Sequence, residues 1–394
     1  MATEVFELVD NQSKGAVIKV IGIGGGGCNT VNQMVEAAIA GVDFVSSNTD
    51  VQHLERCKAE TLLQIGGNLT RGLGAGANPD VGRKAAEEDR DRIRDILSGT
   101  DMLFITAGMG GGTGTGAAPI FAAIARELGI LTLAVVTKPF PFEQKKRMAV
   151  AMKGIEELQQ HVDSLIVIPN EKLQTVLGKN SSMRDAFRAA NNVLQNAVQG
   201  ISEIITAPGL INVDFADVRK VMSVQGKAML GLGSASGENR AREAAEQALA
   251  SPLLEDMDLH GAQGILVNVT ADDSITMQEF QTINEIVTDM AAEDAEVIVG
   301  SACDPNMGGS IRVTVVATGL GKPKHALKPE QPKVVIGLPF GTPKAPQGGS
   351  IYDKPAYIRN EEQKHRAQQH AAVSGLPEEQ EIFDVPAFLR KQAN

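Results

Sequence analysis

The chain has 394 residues, is 43% hydrophobic but only 4% aromatic with no Trp, and carries a net charge of −11 at pH 7. That length and apolar content support two aliphatic-cored domains plus a tail, while the acidity argues against general nucleic-acid binding, which needs a basic face. No twenty-residue apolar span exists to cross a membrane, residues 1–14 lack the apolar core of a signal peptide, and Cys28, Cys57 and Cys303 are too scattered for a disulfide framework or zinc spacing, which suits a reducing cytoplasm.

Residues 16–21, 43–46, 102–106, 130–137 and 164–168 read as strands separated by helical segments. This alternation predicts a doubly wound parallel α/β sheet with ligands at its C-terminal strand ends. The first strand runs into Gly22-Ile23-Gly24-Gly25-Gly26-Gly27-Cys28-Asn29, which matches Gly-x-Gly-x-x-Gly, and Asp50 closes the next strand. A run of glycines satisfies that dinucleotide pattern almost automatically. The strand at 102–106 leads into Gly108-Met109-Gly110-Gly111-Gly112-Thr113-Gly114-Thr115-Gly116, and residues 117–124 read as a helix start. A strand, glycines and then a helix point backbone N–H groups at an anion. No Gly-x-x-x-x-Gly-Lys-Ser/Thr occurs, so any phosphate cradle lacks a P-loop lysine. Two such loops on neighbouring strand ends suit a polyphosphate better than a dinucleotide.

Further along, Glu143 and Arg147 stand i, i+4 after Pro141, which alone reads as a solvated helical ion pair. Asn170 follows the strand at 164–168 and reads as a turn, a cap or a base contact. From Met183 to Thr206 the apolar positions Phe187, Ala190, Leu194, Ala197, Val198, Ile201, Ile204 and Ile205 predict one long amphipathic helix, ended by Pro208-Gly209. Asn191 and Asn192 interrupt it; they either face solvent or present amides to guanine N1–H and N2–H, and Phe187 either packs on a base or joins the core. The segment 212–219 reads as a helix start, with Asn212 or Asp214 capping and Asp217 in the first turn. Strands at 264–270, 296–302 and 311–318, with a helix at 277–292, predict a smaller α/β domain ending near 321.

From residue 322 the composition changes. Seven of the 17 prolines and both tyrosines fall between 323 and 357, and residues 322–360 hold seven Lys or Arg against two acids. Residues 322–380 read as a disordered linker. The chain then returns to an apolar peptide, Ile382-Phe383-Asp384-Val385-Pro386-Ala387-Phe388-Leu389-Arg390, which reads as a partner-binding motif.

Gly110-Gly111-Gly112-Thr113-Gly114-Thr115-Gly116 resembles the signature of the tubulin and FtsZ family of GTPases. Residues 22–32 are similar to that family's first nucleotide loop and Asn48-Thr49-Asp50 to its second. Gly72-Leu73-Gly74-Ala75-Gly76-Ala77-Asn78-Pro79 resembles the loop that senses the γ-phosphate, and residues 135–147 resemble the sugar-binding loop. The similarity runs from about residue 16 to 321. It implies an N-terminal extension (1–14), a GTP-binding domain (15–182), a central helix (183–207), a C-terminal domain (208–321), a linker (322–380) and a tail peptide (381–394). It implies GTP or GDP with Mg²⁺ on the phosphates. The implied nucleotide contacts are Gly24, Gly25, Gly26, Cys28, Asn29, Asn48, Gly74, Ala75, Gly76, Gly108, Gly110, Gly111, Gly112, Thr113, Gly114, Thr115, Gly116, Pro139, Asn170, Phe187, Asn191 and Asn192, with Glu143 on the ribose and Arg147 on the phosphates.

Two residues depart from the family pattern. Cys28 stands where a glycine or other small residue is common, and is read either as an oxidation-sensitive thiol or as a small residue that fits. Asn192 stands where these proteins often have Asp, which keeps an acceptor and loses a charge. By the same resemblance, Asp214 and Asp217 belong to a synergy loop that polarises the attacking water in a neighbouring subunit's site, with Asn212 supporting the contact. Hydrolysis then requires head-to-tail assembly, in a ring beneath the inner membrane at the division site. The tail resembles the peptide that docks on membrane tethers such as FtsA and ZipA and on regulators such as MinC. Two rival readings are an NAD-dependent enzyme, for which His53, His161 and His260 offer no catalytic constellation, and a non-hydrolysing nucleotide-binding scaffold.

Overall fold

The computed structural model describes residues 15–320, apart from 178–181, 208, 225, 252–261 and 293–294. The N-terminal extension, the linker expected over 322–380 and the tail peptide lie outside the described residues.

Ten strands form one sheet: β1 (Ile18–Ile23), β2 (Asp43–Asn48), β3 (Thr61–Gln64), β4 (Met102–Gly108), β5 (Leu131–Lys138), β6 (Ser164–Pro169), β7 (Gly226–Ser236), β8 (Gly264–Ala271), β9 (Glu296–Cys303) and β10 (Ser310–Leu320). Their order is β3-β2-β1-β4-β5-β6-β7-β10-β8-β9. The run from β3 to β7 is parallel throughout. Its first six strands have the order of a doubly wound nucleotide-binding sheet. Beyond it, β10 pairs antiparallel with both β7 and β8, and β9 runs parallel to β8. Strands β3 and β7 add to the eight read from the sequence.

The helices are α1 (Gly24–Glu36), α2 (Val51–Leu54), α3 (Gly67–Thr70), α4 (Pro79–Glu88), α5 (Arg90–Leu97), α6 (Thr113–Glu127), α7 (Lys145–Gln159), α8 (Asn170–Leu177), α9 (Met183–Thr206), α10 (Phe215–Met222), α11 (Arg240–Leu249) and α12 (Met277–Asp289). They cover both faces, so the parallel strands are buried on both sides; Met102 to Ala107 of β4 are buried without a break. On one face, Val31 and Met34 of α1 and Leu194, Val198 and Ile201 of α9 pack on Val20, Leu133 and Ile166. On the other, Phe121 and Ile124 of α6 and Ile155 and Leu158 of α7 pack on Ile105, Ala134 and Leu165. Each fully buried aliphatic side chain contributes about 1.5–3 kcal/mol relative to exposure.

Helix α9 spans the range that its periodicity predicts. Ser182 caps it, its hydroxyl accepting from Asp185 N at 3.2 Å. Near its other end Glu203 accepts from Arg312 Nη2 at 2.9 Å and from Thr270 Oγ1 at 2.8 Å, which ties the helix to β10 and β8. Twenty-four residues at 1.5 Å each make this helix roughly 36 Å long.

Candidate functional site

Strands β1 and β4 are parallel neighbours, with Ile23 opposite Ala107, so both glycine runs leave the sheet side by side. Helix α6 begins at Thr113, four residues before the start read from the sequence, because the glycines at 114 and 116 are helical. Neither α1 nor α6 has a side-chain cap or an acidic residue in its first turn. Helices α2, α4, α9, α10 and α12 are capped by Asp50, Asn78, Ser182, Asp214 and Thr276, whereas α3, α5, α7 and α11 also lack a side-chain cap, so what sets α1 and α6 apart is that their N-termini are adjacent. A helix N-terminus exposes unpaired N–H groups and partial positive charge. Two of them, uncapped and adjacent, fit an anionic ligand.

The glycines allow this geometry at particular points. Gly24 has φ +71°, and a Cβ there would lie 2.8 Å from Gly114 N, so this contact holds the two loops together. A Cβ at Gly116 would lie 1.9 Å from Pro79 O, where α4 crosses α6. Gly25 and Gly111 are different: a Cβ at either has no neighbour within 4 Å.

Other predicted contacts gather at the same strand ends. At the end of β2, Asn48 Oδ1 accepts from Thr49 N at 2.9 Å, and Thr49 Oγ1 lies 2.7 Å from Thr113 Oγ1. Gly74 N donates to Thr49 O at 3.2 Å, which seats the segment with Ala75 and Gly76 beside the second strand's end. Gly112 abuts Ala75, and Gly110 abuts Pro139 and Arg147. Gly110 N also donates to Thr115 Oγ1 at 2.8 Å, closing the glycine loop. Gly26 in turn packs against Gly108.

Glu143 and Arg147 pair at 3.0 Å, and Glu143 Oε1 also accepts from Phe140 N at 2.9 Å. They do not share one helix. Glu143 ends a 3₁₀ turn, Gln144 breaks the chain at φ +78°, and Arg147 stands in the first turn of α7.

A cleft of about 570 Å³ opens between α1 and α9, lined by Asn29, Asn32, Gln33, Phe187, Arg188 and Asn191 among others. Thr30 Oγ1 donates to Asn191 Oδ1 at 3.1 Å, and Gln33 Nε2 donates to Asn192 Oδ1. Both asparagines therefore face α1. Phe187 is 42% exposed rather than in the core, with its ring edge-on to Phe140 at 5.2 Å. Asn170 is buried at the start of α8, and its Oδ1 has no hydrogen-bond partner.

Beneath the first glycine loop, Cys28 is fully buried and donates weakly to Gly22 O and Ser47 O at 3.6 and 3.5 Å. Hydrogen bonding from Cys28 draws the Cys57 thiol down to about 6, and His53 adds to this by its charge. The Cys28 thiol is pushed up in return, by the same hydrogen bond and by burial. His53 joins two predicted contacts: Asn48 Nδ2 lies 3.2 Å from its Nδ1, and Asn29 Oδ1 lies 3.1 Å from its Nε2. Sequence reading missed Gln33, His53 and Cys57 as parts of this region, and placed Thr49 in the second nucleotide loop without giving it a contact.

The acidic segment lies elsewhere. Asp214 caps α10, and Asn212 Oδ1 accepts from Gly209 N at 3.0 Å, so the helix start read from the sequence is present. Asn212, Asp214 and Asp217 are all exposed. Arg219 Nη2 donates to Asp101 O at 3.4 Å, which sets α10 against the N-terminal end of β4. The glycine loop leaves the other end of that strand, whose seven residues span roughly 23 Å.

Comparison with known proteins agrees with this architecture. Residues 17–178 match the model of the tubulin/FtsZ family GTPase domain, and residues 226–321 match that of the FtsZ family C-terminal domain. The cell division protein FtsZ of Coxiella burnetii is 56% identical over 98% of this chain and 99% of its own. That of Pseudomonas aeruginosa is 53% identical over 99% and 100%. A solved FtsZ dimer from M. jannaschii superposes with a TM-score of 0.75 at 47% identity, covering 78% of this chain and 89% of its own. A mostly parallel sheet with two adjacent uncapped helix N-termini, matched along both domains by these family models and relatives, makes this chain a member of the FtsZ family of tubulin-like GTPases involved in cell division.

Proposed function

We propose that the chain binds GTP at the N-termini of α1 and α6 and hydrolyses it only when a second copy supplies Asp214 and Asp217. The observation that carries this reading is the distance along β4. The glycine loops lie at one end of the strand and the exposed aspartates at the other. A chain therefore cannot bring its own aspartates to its own phosphates, whereas a head-to-tail neighbour can. Such a heterologous contact does not close, so it propagates into a filament. The relative solved as an FtsZ dimer supports self-association.

In this reading the free N–H groups of α1 and α6 hold the phosphates. Asn191, Asn192 and Asn170 offer amide oxygens to guanine, and Phe187 packs on the base. Glu143 meets the ribose and Arg147 the phosphates. Among the described residues, the one group of three His, Cys or acidic side chains placed to share a metal is Cys28, His53 and Cys57. Those soft donors do not suit Mg²⁺, which prefers oxygen. Mg²⁺ would be held through the GTP phosphates, where it would neutralise developing charge. Asp214 and Asp217 of the neighbour orient and polarise the attacking water, and Asn212 supports that contact. Filaments of this kind build the division ring at mid-cell, tethered through Ile382 to Arg390 to membrane-bound partners.

Mixing two inactive variants tests this reading. Gly25→Asp puts a carboxylate in the phosphate cradle, and Asp214→Asn removes the charge that acts in trans. Each alone is expected to release almost no phosphate, and an equimolar mixture is expected to regain turnover. A mixture as inactive as its parents would contradict the shared site.

A further inference from the structure

We propose that Cys28, His53 and Cys57 form a binding site for a soft divalent cation, Zn²⁺ by preference, directly under the first glycine loop. The two Sγ atoms and one ring nitrogen of His53 lie within 4.8 Å of one another. They come from two segments that the fold brings together, α1 and the stretch 53–57. Cys28 stands in the second turn of α1, His53 in α2, and Cys57 three residues beyond α2. In the sequence His53 and Cys57 stand four residues apart, but Cys28, twenty-five residues before His53, carries no spacing signal that joins it to them.

The surroundings suit a metal better than an inert pair of thiols. Cys28 is fully buried, whereas His53 and Cys57 are only partly so, which leaves an approach from the surface. The thiol hydrogen bonds are weak: Cys28 Sγ lies 3.5 Å from Ser47 O, and Cys57 Sγ lies 3.4 Å from His53 O. Giving them up for a metal–sulfur bond costs little. Ser46 is fully buried beside both thiols, where its hydroxyl favours their deprotonated forms. It can donate to a metal-bound thiolate. His53 is held by Asn48 on one ring nitrogen and by Asn29 on the other. When one nitrogen binds a metal, the other keeps its asparagine, as outer partners of metal-bound imidazoles usually do. Two thiolates and one imidazole select Zn²⁺ over Mg²⁺ or Ca²⁺, and a three-residue set leaves a fourth position open.

The site reaches the nucleotide loops through His53. Metal capture frees one of Asn29 and Asn48, both of which stand in the phosphate-binding segments of the proposed GTP site. The cation therefore changes GTP affinity, a consequence that rests on the GTP reading, whereas the metal site itself does not.

Cobalt spectroscopy on the reduced, metal-free full chain tests the site, with Co²⁺ standing in for Zn²⁺. The expected result is one equivalent of Co²⁺ giving a sulfur-to-metal charge-transfer band and the strong visible bands of a tetrahedral site, erased by Zn²⁺. The charge-transfer band should disappear in Cys28→Ser and in Cys57→Ser, and persist in Cys303→Ser. His53→Ala should weaken Co²⁺ binding at least tenfold while leaving sulfur charge transfer. No charge-transfer band in the reduced chain, or one that survives both cysteine substitutions, would overturn the proposal. So would a Cys28–Cys57 disulfide in air-exposed protein combined with no metal uptake after reduction. Binding of a fluorescent GTP analogue, measured with and without Zn²⁺, is read separately. Intact cobalt bands without GTP binding would uphold the metal site and count against the nucleotide reading alone.

Discussion

Asp214 and Asp217 are joined by one hydrogen bond: the Asp217 amide donates to Asp214 Oδ1 at 2.8 Å. Asp214 thereby has a structural duty as the cap of α10, and loss of such a cap costs about 1 kcal/mol. The two duties separate by substitution. Asp214→Asn keeps a good cap and removes the charge, so its Tm should match the parent while GTP turnover falls at least tenfold with GTP affinity unchanged. Asp214→Ala should lose both turnover and stability. Thermal melts alongside phosphate release distinguish them; full turnover in Asp214→Asn would remove Asp214 from the chemistry.

Gly25→Asp should block GTP without harming the fold. A Cβ at Gly25 meets nothing within 4 Å, and α1 has no acidic residue in its first turn. A carboxylate there complements the helix dipole by about 0.3–1 kcal/mol. Against a phosphate about 5 Å away, at an effective dielectric constant of about 20, it costs roughly 3 kcal/mol per charge pair. The expected outcome is an unchanged or raised Tm together with GTP affinity reduced about 100-fold or more, read by fluorescent-nucleotide titration.

Glu143 and Arg147 pair at 3.0 Å, and the proposed site assigns both to the nucleotide. The Arg147 side chain is 51% exposed while that of Glu143 is only 12% exposed, so solvent screens the pair from the arginine side and it contributes on the order of 1 kcal/mol. Arg147→Ala should therefore leave Tm within a degree or two and weaken GTP binding about tenfold, equivalent to about 1.4 kcal/mol. Arg147→Lys should recover part of that loss. Unaltered affinity in Arg147→Ala would confine the pair to a structural role.

Away from the site, Arg240 holds Glu279 through Nε at 2.6 Å and Nη2 at 3.0 Å. The guanidinium draws the Glu279 carboxyl from its ordinary 4.5 down to about 2. A folded-state value below the unfolded one stabilises the fold above pH 4.5, and this contribution is lost as pH falls toward 2. The Tm gap between the parent and Glu279→Gln should therefore be full near pH 6 and shrink between pH 4.5 and 2. A gap constant across that range would mean that the pair is not ionic.

Much of this was legible in the residue pattern, for identifiable reasons. Helix α9 was readable end to end because its apolar stripe is continuous and its caps are local. The buried strands β1, β4 and β5 were readable because burial on both faces makes them unbroken apolar runs. Strand β7 was not, because Gly226, Gly231 and Gly233 dilute its pattern. Gly233 is there for packing: a Cβ would lie 2.0 Å from Ala244 O of α11. The onset of α6 was misread by four residues because glycine is a poor helix former, yet here it lets α4 and α1 come close. At the site, the glycine loops announced themselves, whereas the Thr49–Thr113 contact and the meeting of Cys28 with His53 and Cys57 arise only when segments distant in the sequence come together. Long-range pairings of single residues leave no periodic trace.

The most direct test of the central claim is GTP turnover per molecule, with Mg²⁺, across a series of protein concentrations, each sample also pelleted. A site divided between two copies predicts negligible turnover per molecule below a threshold concentration, rising above it together with pelleted polymer. Turnover per molecule that stays constant from the most dilute sample upward would mean that each chain carries a whole active site, and would contradict the role of Asp214 and Asp217 in trans.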